Sequence, residues 1–159
     1  MYTTTLHTPL GYAVITGNED GIASVRCLSE PVPDSLFVPA VLHRCARQLE
    51  EYFAGRRRSF DLPLYPHGTI FQRSVWQTLA EVPYGKTLSY MDLTRRLGSE
   101  KAIRAVAAAN GKNPVWIIIP CHRIIGSHGE LTGYAGGLWR KKWLLDHEKG
   151  DDGQLSLGF

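Results

Sequence analysis

The chain has 159 residues, 43% of them hydrophobic and 21% charged, the composition of an ordinary globular protein long enough for one large domain or two small ones. No unbroken apolar run exceeds Val115–Ile119, which excludes a membrane-spanning helix, and three widely spaced cysteines (Cys27, Cys45, Cys121) offer no disulfide framework. The net charge of +3 is uneven: residues 1–85 carry 7 basic and 8 acidic side chains, whereas residues 86–149 carry 11 and 5.

The start, Met1-Tyr2-Thr3-Thr4-Thr5-Leu6-His7, has neither the basic nor the apolar stretch of a signal peptide. A soluble protein of the reducing cytoplasm is expected, nucleoid-associated in a prokaryote. Strands are expected at Thr3–Leu6, Tyr12–Ile15 and Ile22–Leu28, broken by Pro9-Leu10-Gly11 and by the turn from Gly17 to Gly21. They would form a small antiparallel sheet. After a proline-marked connection, Val41, Leu42, Cys45, Ala46, Leu49, Tyr52 and Phe53 recur at helical spacing from Ala40 to Gly55. A turn-rich stretch then suggests a domain boundary near residues 62–69.

The second part opens with a helix expected over Thr69–Val82, with Ile70, Phe71, Val75, Trp76 and Leu79 facing inward. Ser89 is placed to cap a short helix that ends at Gly98, and Ser99 to cap another over Glu100–Asn110. Two short helices around Gly-Ser match a helix-turn-helix. The second is built largely of Ala102, Ala105, Ala107, Ala108 and Ala109, with Lys101 and Arg104 as its cations. Such a helix suits tight core packing. In a helix-turn-helix it is also the one that enters a nucleic-acid groove, and its lack of a set of Asn, Gln or Arg side chains at helical spacing points to a minor groove and low sequence specificity. A loop with Gly126, Gly129, Gly133 and Gly136 follows, then a helix over Leu138–Lys149 carrying Trp139, Trp143, Leu144 and Leu145.

The run Asn113-Pro114-Val115-Trp116-Ile117-Ile118-Ile119-Pro120-Cys121-His122-Arg123-Ile124 carries the chemistry. Val and Ile favour extended backbone and proline restricts its neighbour, so Val115–Ile119 reads as a buried strand with Cys121 at its mouth. A base and a permanent cation beside a cysteine favour a reactive thiolate. A buried structural thiol is the common alternative for a lone Cys.

These strings resemble the O6-alkylguanine-DNA alkyltransferases, also called methylated-DNA–protein-cysteine methyltransferases. The resemblance rests on Tyr84-Gly85 with Ser89-Tyr90, Arg104-Ala105-Val106, Asn113-Pro114-Val115, Ile119-Pro120-Cys121-His122-Arg123-Ile124, Gly133-Tyr134-Ala135-Gly136-Gly137 and Leu144 to Glu148. It spans residues 70–149 in the family's order; residues 1–62 share only a strand-then-helix outline. It implies an α+β protein with a ribonuclease-like N-terminal domain (residues 1–65). A mostly helical, winged helix-turn-helix-like alkyltransferase domain (residues 69–150) and a tail (residues 151–159) would follow.

The implied activity is DNA repair: irreversible, stoichiometric transfer of an alkyl group from O6-alkylguanine, and from O4-alkylthymine, to Cys121 after the nucleotide is flipped from the minor-groove side. His122 would be the base, acting through a water because neighbours in an extended segment face opposite ways. Glu148 would orient it, in preference to Asp146. Tyr90 would donate to the leaving base and Asn113 would brace the loop behind the cysteine. Arg104 matches the family's arginine finger, and Tyr90, Lys101, Ala102, Ala105 and Arg123 are the further DNA contacts expected.

Tyr134, Ala135 and Gly136 would wall the substrate pocket. Trp116, smaller or proline in many relatives, would narrow that pocket or pack outward. Ala107 stands where glycine is frequent. The implied partner is double-stranded DNA containing O6-alkylguanine, bound by a monomer, with no membrane role and no cofactor. Cys27, His43 and Cys45 do not match the zinc ligands of some relatives, so no metal is expected. Two rivals are a lesion sensor without chemistry and a cysteine hydrolase. Sensor relatives carry tryptophan at the acceptor position, and hydrolases bring a distant histidine to the nucleophile.

Overall fold

A computed structural model describes residues 1–134 and 136–157, with side chains through Gly150. The chain divides into two compact units, residues 1–67 with 114–118, and residues 68–113 with 119–159. In the first, β1 (Tyr2–Thr8), β2 (Gly11–Asn18) and β3 (Gly21–Leu28) form an antiparallel sheet in chain order. Ala13, Val14 and Ile15 of central β2 are all buried, so both faces of that strand are covered. Helix α1 (Ala40–Phe53) buries Val41, Leu42, Cys45, Leu49 and Tyr52, the apolar stripe its period anticipates.

Residues 114–118 join this unit through an isolated bridge between Val25 and Val115, with Val25 N donating to Pro114 O at 2.9 Å and Trp116 N to Val25 O at 3.0 Å. The strand expected over Val115–Ile119 does not form. Instead Ile118 N donates to Trp116 O at 2.8 Å, closing a three-residue turn on Ile117, whose φ is 71°. Cys121 N then donates to Ile119 O at 2.8 Å, closing an inverse γ-turn on Pro120 (φ −84°, ψ 64°). Two tight turns in succession replace the strand. A β-branched residue at positive φ is strained, and its full burial helps hold it there.

The second unit contains α2 (Ile70–Leu79), α3 (Tyr90–Arg96), α4 (Ile103–Gly111) and α5 (Leu138–Leu157). Two-residue strands β4 (Leu88–Ser89) and β5 (Ile124–Ile125) pair in parallel. Thr69 and Gln72 form a reciprocal capping box on α2. Ile70 and Phe71, expected inside, are 80% and 40% exposed; they sit in the first turn, and only Val75, Trp76 and Leu79 reach the core. Ser89 caps α3 by accepting from Asp92 N, as its position suggests. Ser99 makes no side-chain cap; a 3₁₀ turn over Glu100–Ala102 closes on its backbone carbonyl and leads into α4. Helix α5 continues well past the expected end near Lys149. The α+β expectation holds, and no helix among the described residues is long and apolar enough to cross a membrane.

Thr69→Ala removes one bond of the capping box and loosens the other. The urea-unfolding free energy of the helical unit should fall by about 1 kcal/mol, read by tryptophan fluorescence. An unchanged midpoint would mean that α2 does not depend on its cap.

Candidate active site

Cys121, His122 and Arg123 form one 3₁₀ turn rather than an extended segment, and all three are buried. Asn113 Nδ2 donates to Ile119 O at 2.6 Å, so the carbonyl that also receives Cys121 N is held from two sides. Burial pushes the Cys121 thiol above its ordinary value; the Asn113 hydrogen bond and the Lys141 charge offset only part of this. At 8% exposure, burial favours the neutral thiol, against the thiolate that the neighbouring base and cation favour in the sequence.

His122 is fully buried, and its Nε2 lies 2.6 Å from Glu148 Oε2. Burial lowers the imidazole below its ordinary value, although the Glu148 bond pulls it partly back. The ring is thus neutral near pH 7. An ionised Glu148 can only accept, so Nε2 carries the proton and Nδ1 presents a lone pair. That Nδ1 is buried without a partner among the described residues.

Burial alone would raise the Glu148 carboxyl, but hydrogen bonds from His122 and Arg123 outweigh it and hold the group well below the carboxylate range. Arg123, expected to contact DNA, is corrected: it is 6% exposed and its guanidinium is committed inward. Nε donates to Glu148 Oε1 at 2.8 Å, Nη2 to Oε2 at 3.1 Å and Nη1 to Val82 O at 2.7 Å. Asp146 is exposed and pairs with Lys142.

Tyr90 follows β4 directly, and the β4–β5 pairing brings its segment beside the one that leaves the cysteine turn. Its hydroxyl donates to Thr132 O at 3.3 Å, and burial raises the phenol, which keeps it a proton donor. An open cleft of about 530 Å³ is lined by Tyr90, Arg104, Ala107, Glu130, Thr132 and Gly133, among others. Lys101, Arg104, Ala105 and Ala108 share an exposed stripe, Ala102 is half-buried, and Val106, Ala109 and Asn110 face inward. Trp76 Nε1, donating to Ala109 O at 2.8 Å, ties α4 to α2 behind that stripe.

Two family models cover nearly the whole chain: "6-O-methylguanine DNA methyltransferase, ribonuclease-like domain" over residues 1–66 and "6-O-methylguanine DNA methyltransferase, DNA binding domain" over residues 70–150. The methylated-DNA–protein-cysteine methyltransferase of Methanosarcina acetivorans is 46% identical, across 93% of this chain and 98% of the relative. The constitutive enzyme of that name from Bacillus subtilis is 43% identical, across 93% and 95%. The crystal structure of the Mycobacterium tuberculosis O6-methylguanine methyltransferase in complex with DNA superposes with a TM-score of 0.84 at 40% identity, covering 93% of each chain.

The chain belongs to the methylated-DNA–protein-cysteine methyltransferase family.

Of the residues that the family resemblance singles out, the helical unit gathers Cys121, His122, Glu148 and Asn113 around one turn. It sets Tyr90 and Arg104 on one cleft. Tyr134 and Gly136 precede α5, where Gly137 N donates to Tyr134 O at 2.9 Å; a Cβ on Gly136 would come within 3.2 Å of the Tyr134 ring. Ala135 lies outside the described residues. Trp116 belongs to the first unit, 7% exposed, with its ring 6.1 Å from that of Phe53. Sequence reasoning missed Lys141, fully buried with Nζ 2.8 Å from Thr132 O. Its signal was helical spacing: Lys141, Leu144 and Glu148 occupy one face of α5.

The His122–Glu148 pair makes the fold acid-sensitive. Both groups protonate at lower pH when folded than their ordinary values of 6.5 and 4.5, so the unfolded chain takes up protons first as acid is added. Their stabilisation should be complete above pH 6.5, decline as pH falls through that value, and fall faster below 4.5. Thermal midpoints recorded from about pH 8 to about pH 4 test this; a flat profile would contradict the neutral His122 and ionised Glu148.

Proposed function

We propose that this protein repairs alkylated DNA by moving the alkyl group from O6 of guanine, and from O4 of thymine, onto Cys121. The observation that carries the reading is the His122 ring: one nitrogen is bound to a buried carboxylate, the other presents a bare lone pair, and the thiol belongs to the preceding residue of the same turn. A bridging water carries the Cys121 proton to Nδ1, and Glu148 stabilises the imidazolium that results. The sulfur attacks the alkyl carbon in line, the S–C bond forms and the C–O6 bond breaks. The electron pair leaves with the purine, which takes a proton from Tyr90 and departs as neutral guanine. Tyr90 is reprotonated from His122 through solvent, so neither oxidant nor cofactor enters the balance. The thioether has no ready route back to a thiol, so each molecule acts once.

The DNA duplex meets the exposed stripe of α4. Small Ala102 and Ala105 allow close approach to a minor groove, and Lys101 supplies charge for phosphate. Arg104, on the rim of the cleft, fills the gap left by the flipped nucleotide and offsets part of the few kcal/mol that flipping costs. Tyr134 and Gly136 form the wall against the flipped base. Residues 69–150 contain every residue named for this chemistry, and their segment 114–118 packs with the N-terminal unit.

Incubation with an O6-methylguanine oligonucleotide should raise the intact mass by one methyl in place of one hydrogen, on the peptide that contains Cys121. Cys121→Ala should bind the same DNA without any mass change. An unmodified wild-type protein that still binds would support a lesion sensor instead; modification surviving in Cys121→Ala would move the acceptor to Cys27 or Cys45.

Arg104→Ala should slow transfer from duplex DNA by about tenfold or more, the scale of losing about 1.4 kcal/mol of flipping support. Its reaction with free O6-benzylguanine should be nearly unchanged. Equal losses on the two substrates would rule out a finger role.

A further inference from the structure

Ile117 sits at φ 71° with its side chain buried. A three-residue turn at positive φ is the strained kind, and a β-branched residue persists there only when its surroundings fix it from several sides. Trp116 supplies such fixing. Its N–H donates to Val25 O at 3.0 Å and its carbonyl accepts from Ile118 N at 2.8 Å, so both backbone groups are committed. The indole is 7% exposed, and its ring lies 6.1 Å from that of Phe53 on α1, the spacing of an aromatic pair. Phe53 in turn meets Tyr52 edge-on at 5.4 Å, and the fully buried Tyr52 meets Phe60 at 5.7 Å. Among the described residues, those that line the open cleft all belong to the second unit, whereas Trp116 belongs to the first.

We infer that Trp116 is a positioning residue for the nucleophile: seated in the first unit, it holds the strained turn from which the Cys121 turn extends, and it does not gate the size of the alkyl group. The inference rests on the proposed transfer to Cys121. The chain passes out of the first unit after Ile118, and the next carbonyl, that of Ile119, accepts both Cys121 N and Asn113 Nδ2. Only Ile117 and Ile118 separate the anchor from that carbonyl. A shift of the turn on Ile117 therefore displaces the acceptor that holds the backbone of Cys121. An indole suits this duty, because it buries a large rigid area at little cost in rotamer freedom. A pocket wall would present its ring to the substrate, and this ring is packed beside Phe53.

The test compares the full-length chain with Trp116→Ala, Trp116→Phe, Phe53→Leu and the Trp116→Ala/Phe53→Leu double variant. Single-turnover transfer is measured from a saturating O6-methylguanine oligonucleotide and from free O6-benzylguanine. The rate at which iodoacetamide labels Cys121 without DNA is followed by peptide mass. Trp116→Ala should slow transfer by about tenfold or more, within what misplacing a reacting group by ~1 Å can cost, and by the same factor on both substrates. Its DNA affinity should hold. Iodoacetamide labelling should speed up several-fold as the buried sulfur is released. Trp116→Phe, which keeps a ring beside Phe53, should recover most of both effects. Phe53→Leu should slow transfer on its own and add little to Trp116→Ala, because the two rings act as one contact.

Faster transfer from the benzyl substrate with methyl transfer unchanged would make Trp116 a gate and overturn the inference. Unchanged transfer and labelling in Trp116→Ala would overturn it too, as would losses in the double variant that simply multiply. If Trp116→Ala does not fold, Phe53→Leu, which leaves residue 116 intact, is read for the same two quantities, and unchanged values overturn the anchor. Failure of the wild-type protein to transfer would instead sink the proposed function, and the labelling rates would still decide whether Trp116 holds the turn.

Discussion

A carboxylate buried to 1% exposure is the point on which the helical unit is organised. Glu148 accepts from His122 Nε2, from Arg123 Nε and Nη2, and from Gly85 N at 3.4 Å. These donors come from the cysteine turn and from the loop before β4, so one side chain of α5 joins three segments. Such a charge is tolerable inside only because it is so fully matched, and removing any one partner leaves the rest uncompensated. Arg123 keeps the carboxylate ionised, and the ionised carboxylate fixes the tautomer of His122. The basicity of Nδ1 follows from an arginine that touches neither sulfur nor substrate. Stability and chemistry therefore draw on the same contacts.

Periodic elements were legible in the sequence, and the segment that delivers the sulfur was not. The three strands and α1 obey clear periods, and Ser89 and Gly98 bracket α3 as caps do; Gly98 has φ +101°. Val115–Ile119 has the composition of a strand, but it pairs with Val25 through a single bridge and then folds into two tight turns. Local propensity lost to tertiary context there, as it does where burial can hold a strained residue such as Ile117. The expected separation of Cys121 from the His122 base rested on an extended backbone. A 3₁₀ turn replaces it, and the separation now rests on His122 Nδ1 having no hydrogen-bond partner among the described residues, the Cys121 sulfur included.

Charged residues were the other place where pattern misled. Arg123 was expected to contact DNA, and nothing local in the sequence marks it as a partner of a residue 25 positions away. Lys141 was passed over because a lysine on an amphipathic helix is usually solvated. Only the joint spacing of Lys141, Leu144 and Glu148 reveals that α5 turns two opposite charges inward around one leucine. The tryptophans that drew attention to this helix are peripheral to its core: Trp139 is 56% exposed beside Arg140. Ile70 and Phe71 show the same limit, since apolar residues in a first helical turn can satisfy the period and still face out.

The state of the sulfur closes the account of how the site works. A standing thiolate would react early but would also be open to oxidation, and on the proposed single-use chemistry each such side reaction would cost one protein molecule. Burial above the ordinary thiol value avoids this, because the neutral form is the stable one until a base takes the proton. Deprotonation must then be tied to the arrival of substrate, when an alkyl carbon stands ready to receive the electron pair. His122 fits that timing: it is neutral at rest, has one open lone pair, and becomes a cation beside a carboxylate already in place. The raised phenol of Tyr90 answers the same need on the leaving side, since a tyrosine that stayed ionised would have no proton to give. On the proposed chemistry, burial holds both reacting groups in their protonated forms and leaves the movement of a single proton to the base between them.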